Sequence, residues 1–418
     1  MASRRNQVLP LLGNLLEWYD FAIYGYLALP LGEAFFPSAS PSAALLRSFA
    51  VFAVGFLMRP VGSLVLGPMA DLYGRRRMLS LSMLLMGSSS VLIGMLPTHA
   101  QWGSTASVLM VLLRMLQGFS VGGEYTGSIA FTAELSDQRQ RGLFCSLTSG
   151  GAQLGIALAS LSVAICSQLL GDAAMLSWGW RLPFWLGGIL VILALQARRR
   201  LPETSQRAEE RSGPLLPAIA GELRQLIRHR RPLLQVMALV CTGNVIFYLF
   251  YVFLVTYSST SNGSGIAART ITSGIQVAGI AITVLAGWLV DRYGLVRISV
   301  VGTLAMVLLG MPAMAVGLQG TPISLFVALL LITPPMMLVL GSQGLLAVLV
   351  APDRERCGVF SVAYSTSVAL FGGTAPLVGT WLVNQPLSAT WLILYPLPFA
   401  AVSGWALWRV RKVSRAAL

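Results

Sequence analysis

Two stretches decide the fold: "GPMADLYGRRR" at residues 67–77 and "GWLVDRYGLVR" at residues 287–297. Both read G-x-x-x-D-x-x-G-x-x-R. Gly67, Asp71, Gly74 and Arg77 thus stand in register with Gly287, Asp291, Gly294 and Arg297. Arg75 adds charge to the first copy, where the second has leucine. Self-similarity of this kind marks an internal repeat. The spacing suits a tight turn between two helices. The second glycine permits the turn. The aspartate is expected to cap the following helix at its positive end. The arginines are expected at lipid headgroups or against acids of a neighbouring helix.

The surroundings of each copy are apolar. Of 418 residues, 56% are hydrophobic and only 11% charged, and the mean hydropathy is +0.74. A soluble domain carries about a quarter charged residues. The composition therefore describes a polytopic membrane protein. A helical span needs ~20 mainly apolar residues. Twelve candidates fit: 9–35, 45–70, 78–97, 105–133, 142–170, 182–199, 233–257, 266–290, 296–317, 322–350, 357–384 and 388–409. Glu17 and Asp20 interrupt the first run and no small-residue cleavage site follows, which favours a spanning helix over a signal peptide. Each copy of the repeat follows the second span of a six-span half. The expected organisation is an N-terminal bundle (1–197), a polar linker (198–232) with a surface helix around 216–229, and a C-terminal bundle (233–418). The fold class is an all-α polytopic membrane protein of two six-helix bundles.

Charge sets the orientation. Placing both termini, the even-numbered connections and the linker on one side collects 24 of the 29 Lys+Arg there. Arg47, Arg181 and Arg269 fall on the other side, and Arg59 and Arg114 lie within spans. The positive-inside rule makes the basic side cytoplasmic. The net charge of +14 then reflects topology and anionic-lipid contact, not nucleic-acid binding. Cys145, Cys166, Cys241 and Cys357 are scattered, and His99 and His229 are the only histidines. No metal spacing, nucleophile–base pair or phosphate loop is present, so neither a cofactor nor an enzyme is expected.

Four further stretches, together with the repeated turn, carry a family likeness. The repeated turn resembles the signature loop of the major facilitator superfamily. "RMLQGFSVGGE", 114–124, resembles the R-x-x-Q-G motif of that superfamily's fourth helix. "GNLLEWYDFAIYG", 13–25, resembles the first helix of the metabolite:proton symporter family, which includes proline/betaine, shikimate, α-ketoglutarate and citrate carriers. "GGEYTGSIAFTAE", 122–134, is most similar to the proline/betaine branch, and "AYSTSVALFGGTAP", 363–376, leans toward citrate-type members. Ser365 stands where many members have asparagine. The resemblance implies the major facilitator fold, with 3+3 inverted repeats in each bundle and a site near the midplane. It also implies a carboxylate-containing substrate and proton coupling.

Ionisable groups inside a membrane are expensive and face a cavity or a partner. Asp20 lies ~18 Å along a helix that starts near residue 8, about mid-bilayer. An acid poised between desolvation and a nearby arginine can load and release a proton as its access changes. Asp20, Glu17 and Glu124 are the candidates for proton coupling. Glu17, Asp20 and Tyr24 share one helix face by spacing, and Tyr24 is a candidate for contacting the substrate. Arg59 and Arg114 are fixed cations suited to clamp a carboxylate or to serve as counter-ions. The C-terminal half is poor in buried charge. Asn244, Tyr248, Gln276 and Tyr364 are its candidates for orienting a substrate by hydrogen bonds. Trp18 is a candidate for meeting a quaternary ammonium by cation–π attraction. An interfacial belt accounts for most of Trp18, Trp178, Trp180, Trp185 and Trp408.

The resulting expectation is a monomeric, proton-coupled symporter of the bacterial inner membrane. It imports a zwitterion such as proline or glycine betaine by alternating access. An organic-acid symporter, a metabolite or drug exporter and a non-transporting receptor are the alternatives. The ion pairs discriminate the first two: a multiply anionic ligand wants both arginines unpaired, whereas a zwitterion wants an acid left over.

Overall fold

The computed structural model describes residues 4–38, 40–198, 214–261, 265–352 and 356–416. Among the described residues every regular element is helical. Ten helices are long and apolar enough to cross a membrane: Pro41–Ala70, Arg77–Met95, Ser104–Leu135, Arg141–Leu170, Arg230–Ser261, Gly265–Tyr293, Leu295–Gly317, Pro322–Val350, Cys357–Val383 and Ser388–Arg411. Asp172–Gly179 and Arg181–Gln196, bent by 59°, make an eleventh if taken as one span. The remaining helix is Arg4–Tyr26, continued by Ala28–Phe35. Its carboxylates make it less apolar than the others, yet Tyr19, Phe21, Ile23 and Tyr24 on it are buried. In chain order these are the first to twelfth helices, and they form two six-helix bundles. The linker carries the helix Leu215–Arg228, seated through Leu226.

Glycine governs the closest packing. The second and fourth helices meet at Gly55, Gly62, Gly118 and Gly122, where a Cβ on Gly118 would run into the Gly55 carbonyl oxygen. Small residues let helix backbones approach in this way. The fourth helix is interrupted after Ser120 and restarts at Glu124 behind Gly123, whose φ is +107°. That value is open to glycine and strained for other residues.

The repeated turns fold as their glycines require. Gly74 and Gly294 have φ of 98° and 95°, and each separates two helices. The capping role differs from expectation. The carboxylate of Asp291 does not serve the helix that follows it. It accepts the backbone N–H groups of Gly142 (2.6 Å) and Leu143 (2.8 Å) at the start of the fifth helix. Those amides are orphan donors at a helix N-terminus, and the aspartate of the other half satisfies them. The side chains of Asp71 and Arg75 lie outside the described residues. Arg77 and Arg297 are exposed. A Cβ on Gly67 would meet nothing within 4 Å, whereas one on Gly287 would collide with Ser146 and Gly142.

The two halves touch along two seams. Fifth and eighth helices meet through Asp291 at the end carrying the turns and through Ser160 and Ser273 (2.8 Å) further along. At the opposite end Arg269 donates to Asp172 (3.1 Å) and to Ser167 (2.7 Å). Second and eleventh helices meet where the Ser63 hydroxyl lies 3.2 Å from that of Ser361 and 3.1 Å from that of Ser365. Trp178, Trp185 and Trp408 are exposed, as an interfacial belt requires. Trp18 and Trp180 are not part of it. Both are buried, Trp180 against Phe35 and Phe184.

Candidate functional site

The first helix carries its polar groups into the interior of the first half. Glu17 accepts from Arg59 Nη2 at 3.0 Å, and both side chains are almost wholly buried. The guanidinium lies over the rings of Trp18 (5.0 Å), Phe21 (5.4 Å) and Phe56 (5.7 Å). Desolvated cation–π contacts of this kind contribute roughly 1–2 kcal/mol each. They compensate part of the cost of placing an arginine where water is excluded. Nε and Nη1 of Arg59 have no hydrogen-bond partner among the described residues. Glu124 heads its helix segment and lies close enough to Glu17 for their charges to interact.

Arg114, on the fourth helix, is equally buried and differently held. It stacks on Tyr24 (4.3 Å) and Phe21 (4.6 Å), and its Nη1 donates to Gln117 Oε1 at 2.8 Å. Gln117 Nε2 donates in turn to Ser90 Oγ at 2.6 Å. Nε and Nη2 of Arg114 are without partners among the described residues. Asp20 is 1% exposed, and neither of its oxygens has a hydrogen-bond partner among the described residues. Its polar surroundings are Ser90 and Arg114. Its carboxylate also packs so closely on Gly187 of the sixth helix that no Cβ would fit there. Asp20 thus faces Gly187 of the sixth helix and, like Tyr24, neighbours Arg114 on the fourth.

Between the halves lies a cavity walled by Trp18, Phe21, Tyr26, Phe52, Phe247 and Tyr248, with Ala22, Ile156 and Val252. It has room for about one water molecule. The wall is continuous: Phe52 and Phe56 both meet Tyr248 edge-on, at 5.9 and 5.2 Å. The seventh helix widens into a π-helical turn at Leu249–Leu254, immediately after Tyr248. Such turns recur at functional sites.

Of the residues singled out for substrate, Trp18 and Tyr248 line this cavity. Gln276 stands behind it and donates to the Tyr26 hydroxyl at 2.6 Å, across the two halves. Arg59, Arg114 and Tyr24 back it through the aromatic layer. Tyr364 packs on Tyr125 (5.1 Å) and does not line it. Asn244 is buried with its Nδ2 unpartnered among the described residues. Sequence reading missed Phe21, Tyr26, Phe52 and Phe247. The only available signal was their spacing, with Trp18, Ala22 and Tyr26 four residues apart on the first helix.

Two six-helix halves, glycine turns in register and a buried site between the halves define a membrane transport protein of the two-bundle class. The chain belongs to the Major Facilitator Superfamily, whose sequence profile matches residues 11–366. It is 33% identical over 400 residues to the glycine betaine/proline/ectoine/pipecolic acid transporter OusA of Dickeya dadantii, covering 94% of this chain and 80% of that one. It is 34% identical over 375 residues to the alpha-ketoglutarate permease of Escherichia coli, covering 88% and 84%. Among solved structures it resembles the proton:xylose symporter XylE of E. coli, with TM-score 0.75 and 20% identity over 96% of this chain and 94% of that one.

Proposed function

We propose that the protein is a proton-coupled symporter of the bacterial inner membrane that imports a small zwitterion carrying a carboxylate, of the proline or glycine betaine kind. The single observation that carries the substrate class is the charge balance at the site. Arg59 is already neutralised by Glu17, whereas Arg114 hydrogen-bonds a neutral amide and has Asp20, an acid with no hydrogen-bond partner among the described residues, as its charged neighbour. A multiply anionic solute needs two free arginines. A zwitterion needs one, and its cationic nitrogen is suited by the rings of Trp18, Phe52 and Tyr248. The named relative that carries glycine betaine and proline supports the same reading.

Arg114 is assigned to the substrate carboxylate, with Arg59 as the fixed counter-ion of Glu17. Asp20 is the proton site, with Glu17 and Glu124 adjoining it. Tyr248, Gln276 and Asn244 orient the solute from the second half. The halves rock around the site, and protonation changes the relative energies of the two states. The turns carrying Gly67, Asp71, Gly74 and Arg77, and Gly287, Asp291, Gly294 and Arg297, form the cytoplasmic gate. Both termini are cytoplasmic by the distribution of arginine, the chain divides at residues 198–232, and it works as a monomer.

The test is uptake into proteoliposomes under an inward proton gradient. Labelled proline, glycine betaine, citrate and α-ketoglutarate are compared with and without a protonophore. Protonophore-sensitive uptake of proline or betaine supports the reading, and Asp20→Asn abolishes accumulation while solute exchange persists. Uptake of the acids alone overturns it in favour of an organic-acid symporter, the second reading, which the alpha-ketoglutarate permease relative favours.

A further inference from the structure

The linker helix Leu215–Arg228 has no part in the reading above. Its sequence divides it into three strips. At 3.6 residues per turn, Leu215, Ile219, Glu222 and Leu226 fall on one strip, Leu216, Leu223 and Ile227 on the next, and Arg224 and Arg228 on the third. The first strip is the seat. Leu226 is buried, and Glu222 lies against Gly358, near the start of the eleventh helix. The helix also packs on the second and seventh helices, so its seat spans both halves. Glu222 is the only acid in the linker helix, and the seat takes it. The second strip is left outside: Leu216 is 79% exposed, Ile227 71% and Leu223 43%. The third strip is exposed as well, and the exposed Arg230 and Arg231 follow it.

Position decides what the two outer strips meet. The linker helix ends at Arg228, and the spanning helix Arg230–Ser261 opens two residues later. The last turn of the linker helix is therefore held where the chain enters the bilayer. Leu234, one turn into the span, is again apolar and exposed, so the outer apolar strip continues onto a surface that faces lipid. An apolar strip bordered by arginines is the pattern of a helix lying in the plane of the membrane interface. Anionic lipid attracts basic groups held at that level. We propose that the linker helix docks on the bilayer surface. Leu216, Leu223 and Ile227 enter the boundary between headgroups and acyl chains, and Arg224, Arg228, Arg230 and Arg231 hold the phosphates of anionic lipid. The continuity with a spanning helix and the single sign of the bordering charge select lipid over a soluble protein or a second copy. The proposal is independent of solute and of proton coupling, and its test needs no transport.

The test places a spin label at Ile227→Cys or Gln225→Cys, both exposed positions, in a chain whose exposed Cys357 is replaced by serine. Single copies are reconstituted in lipid nanodiscs of phosphatidylcholine, with and without phosphatidylglycerol. Relaxation by oxygen, which dissolves in the bilayer, is compared with relaxation by a water-soluble nickel complex. The label at 227 is expected to meet oxygen and be shielded from nickel, and the label at 225, on the other side of the helix, to meet nickel. Phosphatidylglycerol should raise the oxygen-to-nickel ratio at 227 by about fivefold or more. Arg224→Gln with Arg228→Gln should remove that gain, and so should high salt. A label at 227 as open to nickel as the label at 225 overturns the proposal. So does shielding that is equal in the two lipids and indifferent to the arginine variants, since the anionic headgroup then has no role. Shielding confined to discs that hold two copies overturns it in favour of a second copy of the chain. None of these readings touches the transport assignment, which stands or falls by uptake.

Discussion

Asp291 accepts the backbone amide of Gly142 at 2.6 Å, and in doing so fastens a turn of the second half to a helix start of the first. The bond is charge-assisted and lies along the dipole of the fifth helix. Its neighbour, Leu143 to the second carboxylate oxygen at 2.8 Å, makes the hold bidentate. Opening the molecule at that end must break both.

Asp291→Ala removes the hold. The expected shift is on the order of 2 kcal/mol toward the state open at the turns. Pulsed spectroscopy between spin labels at Arg139 and Arg292, both exposed, should show a larger long-distance population. Asp291→Asn, which keeps one acceptor, should fall between. An unchanged distance distribution in Asp291→Ala would mean that the seam is closed by packing alone.

The glycines of the repeat, and Gly142 that faces one of them, should differ in tolerance. A Cβ on Gly142 would stand 2.6 Å from Asp291 Oδ1 and 2.7 Å from the Gly287 carbonyl oxygen, whereas one on Gly67 meets nothing within 4 Å. Gly142→Ala and Gly287→Ala should therefore part the fifth and eighth helices and slow transport severely. Gly67→Ala should transport near the wild-type rate. Equal damage at Gly67 would show that another state of the cycle packs that turn tightly.

Glu17 and Arg59 should be energetically coupled. Removing one partner of a buried pair leaves an uncompensated charge and costs about 3–5 kcal/mol. Glu17→Gln and Arg59→Met should each unfold at markedly lower temperature in detergent, and the double variant should recover part of the loss. A double variant whose loss is the sum of the two would deny the coupling.

Trp18→Leu should discriminate between solutes. A quaternary ammonium over an indole is worth roughly 1–2 kcal/mol when desolvated. Glycine betaine binding, measured by calorimetry on the purified protein, should weaken by about fivefold or more relative to proline. The same loss for both solutes would reduce Trp18 to a packing residue.

Some of this architecture was readable and some was not, for physical reasons. The glycines of the repeated turn were legible because a positive φ leaves little choice of residue, and Gly74 and Gly294 adopt it. Glu17, Asp20, Arg59 and Arg114 were legible because charge inside an apolar helix is costly and stands out. The partner of Asp291 was not, since capping rules look a few residues along the chain and Gly142 lies 149 residues away. The aromatic wall was hidden for a different reason. In helices this apolar, a ring that lines a cavity has the same local pattern as a ring that fills a core. Ser90 was passed over because it is an ordinary serine until Gln117, the glutamine of the R-x-x-Q-G motif, donates to it.

The glycine contact between the second and fourth helices has a consequence for selectivity. Arg59 rides on one of these helices and Arg114 on the other. With Gly55 against Gly118 and Gly62 against Phe119, the two cannot slide or separate without losing backbone contact. The guanidinium groups thus behave as the jaws of a caliper set to one gap. The first helix, carrying Glu17 and Asp20, is seated separately, with its Leu15 backbone against Gly155 of the fifth helix. Discrimination among solutes is then a matter of gauge, and replacing the small residues of this contact should blur the distinction between solutes of different length without altering a single charge.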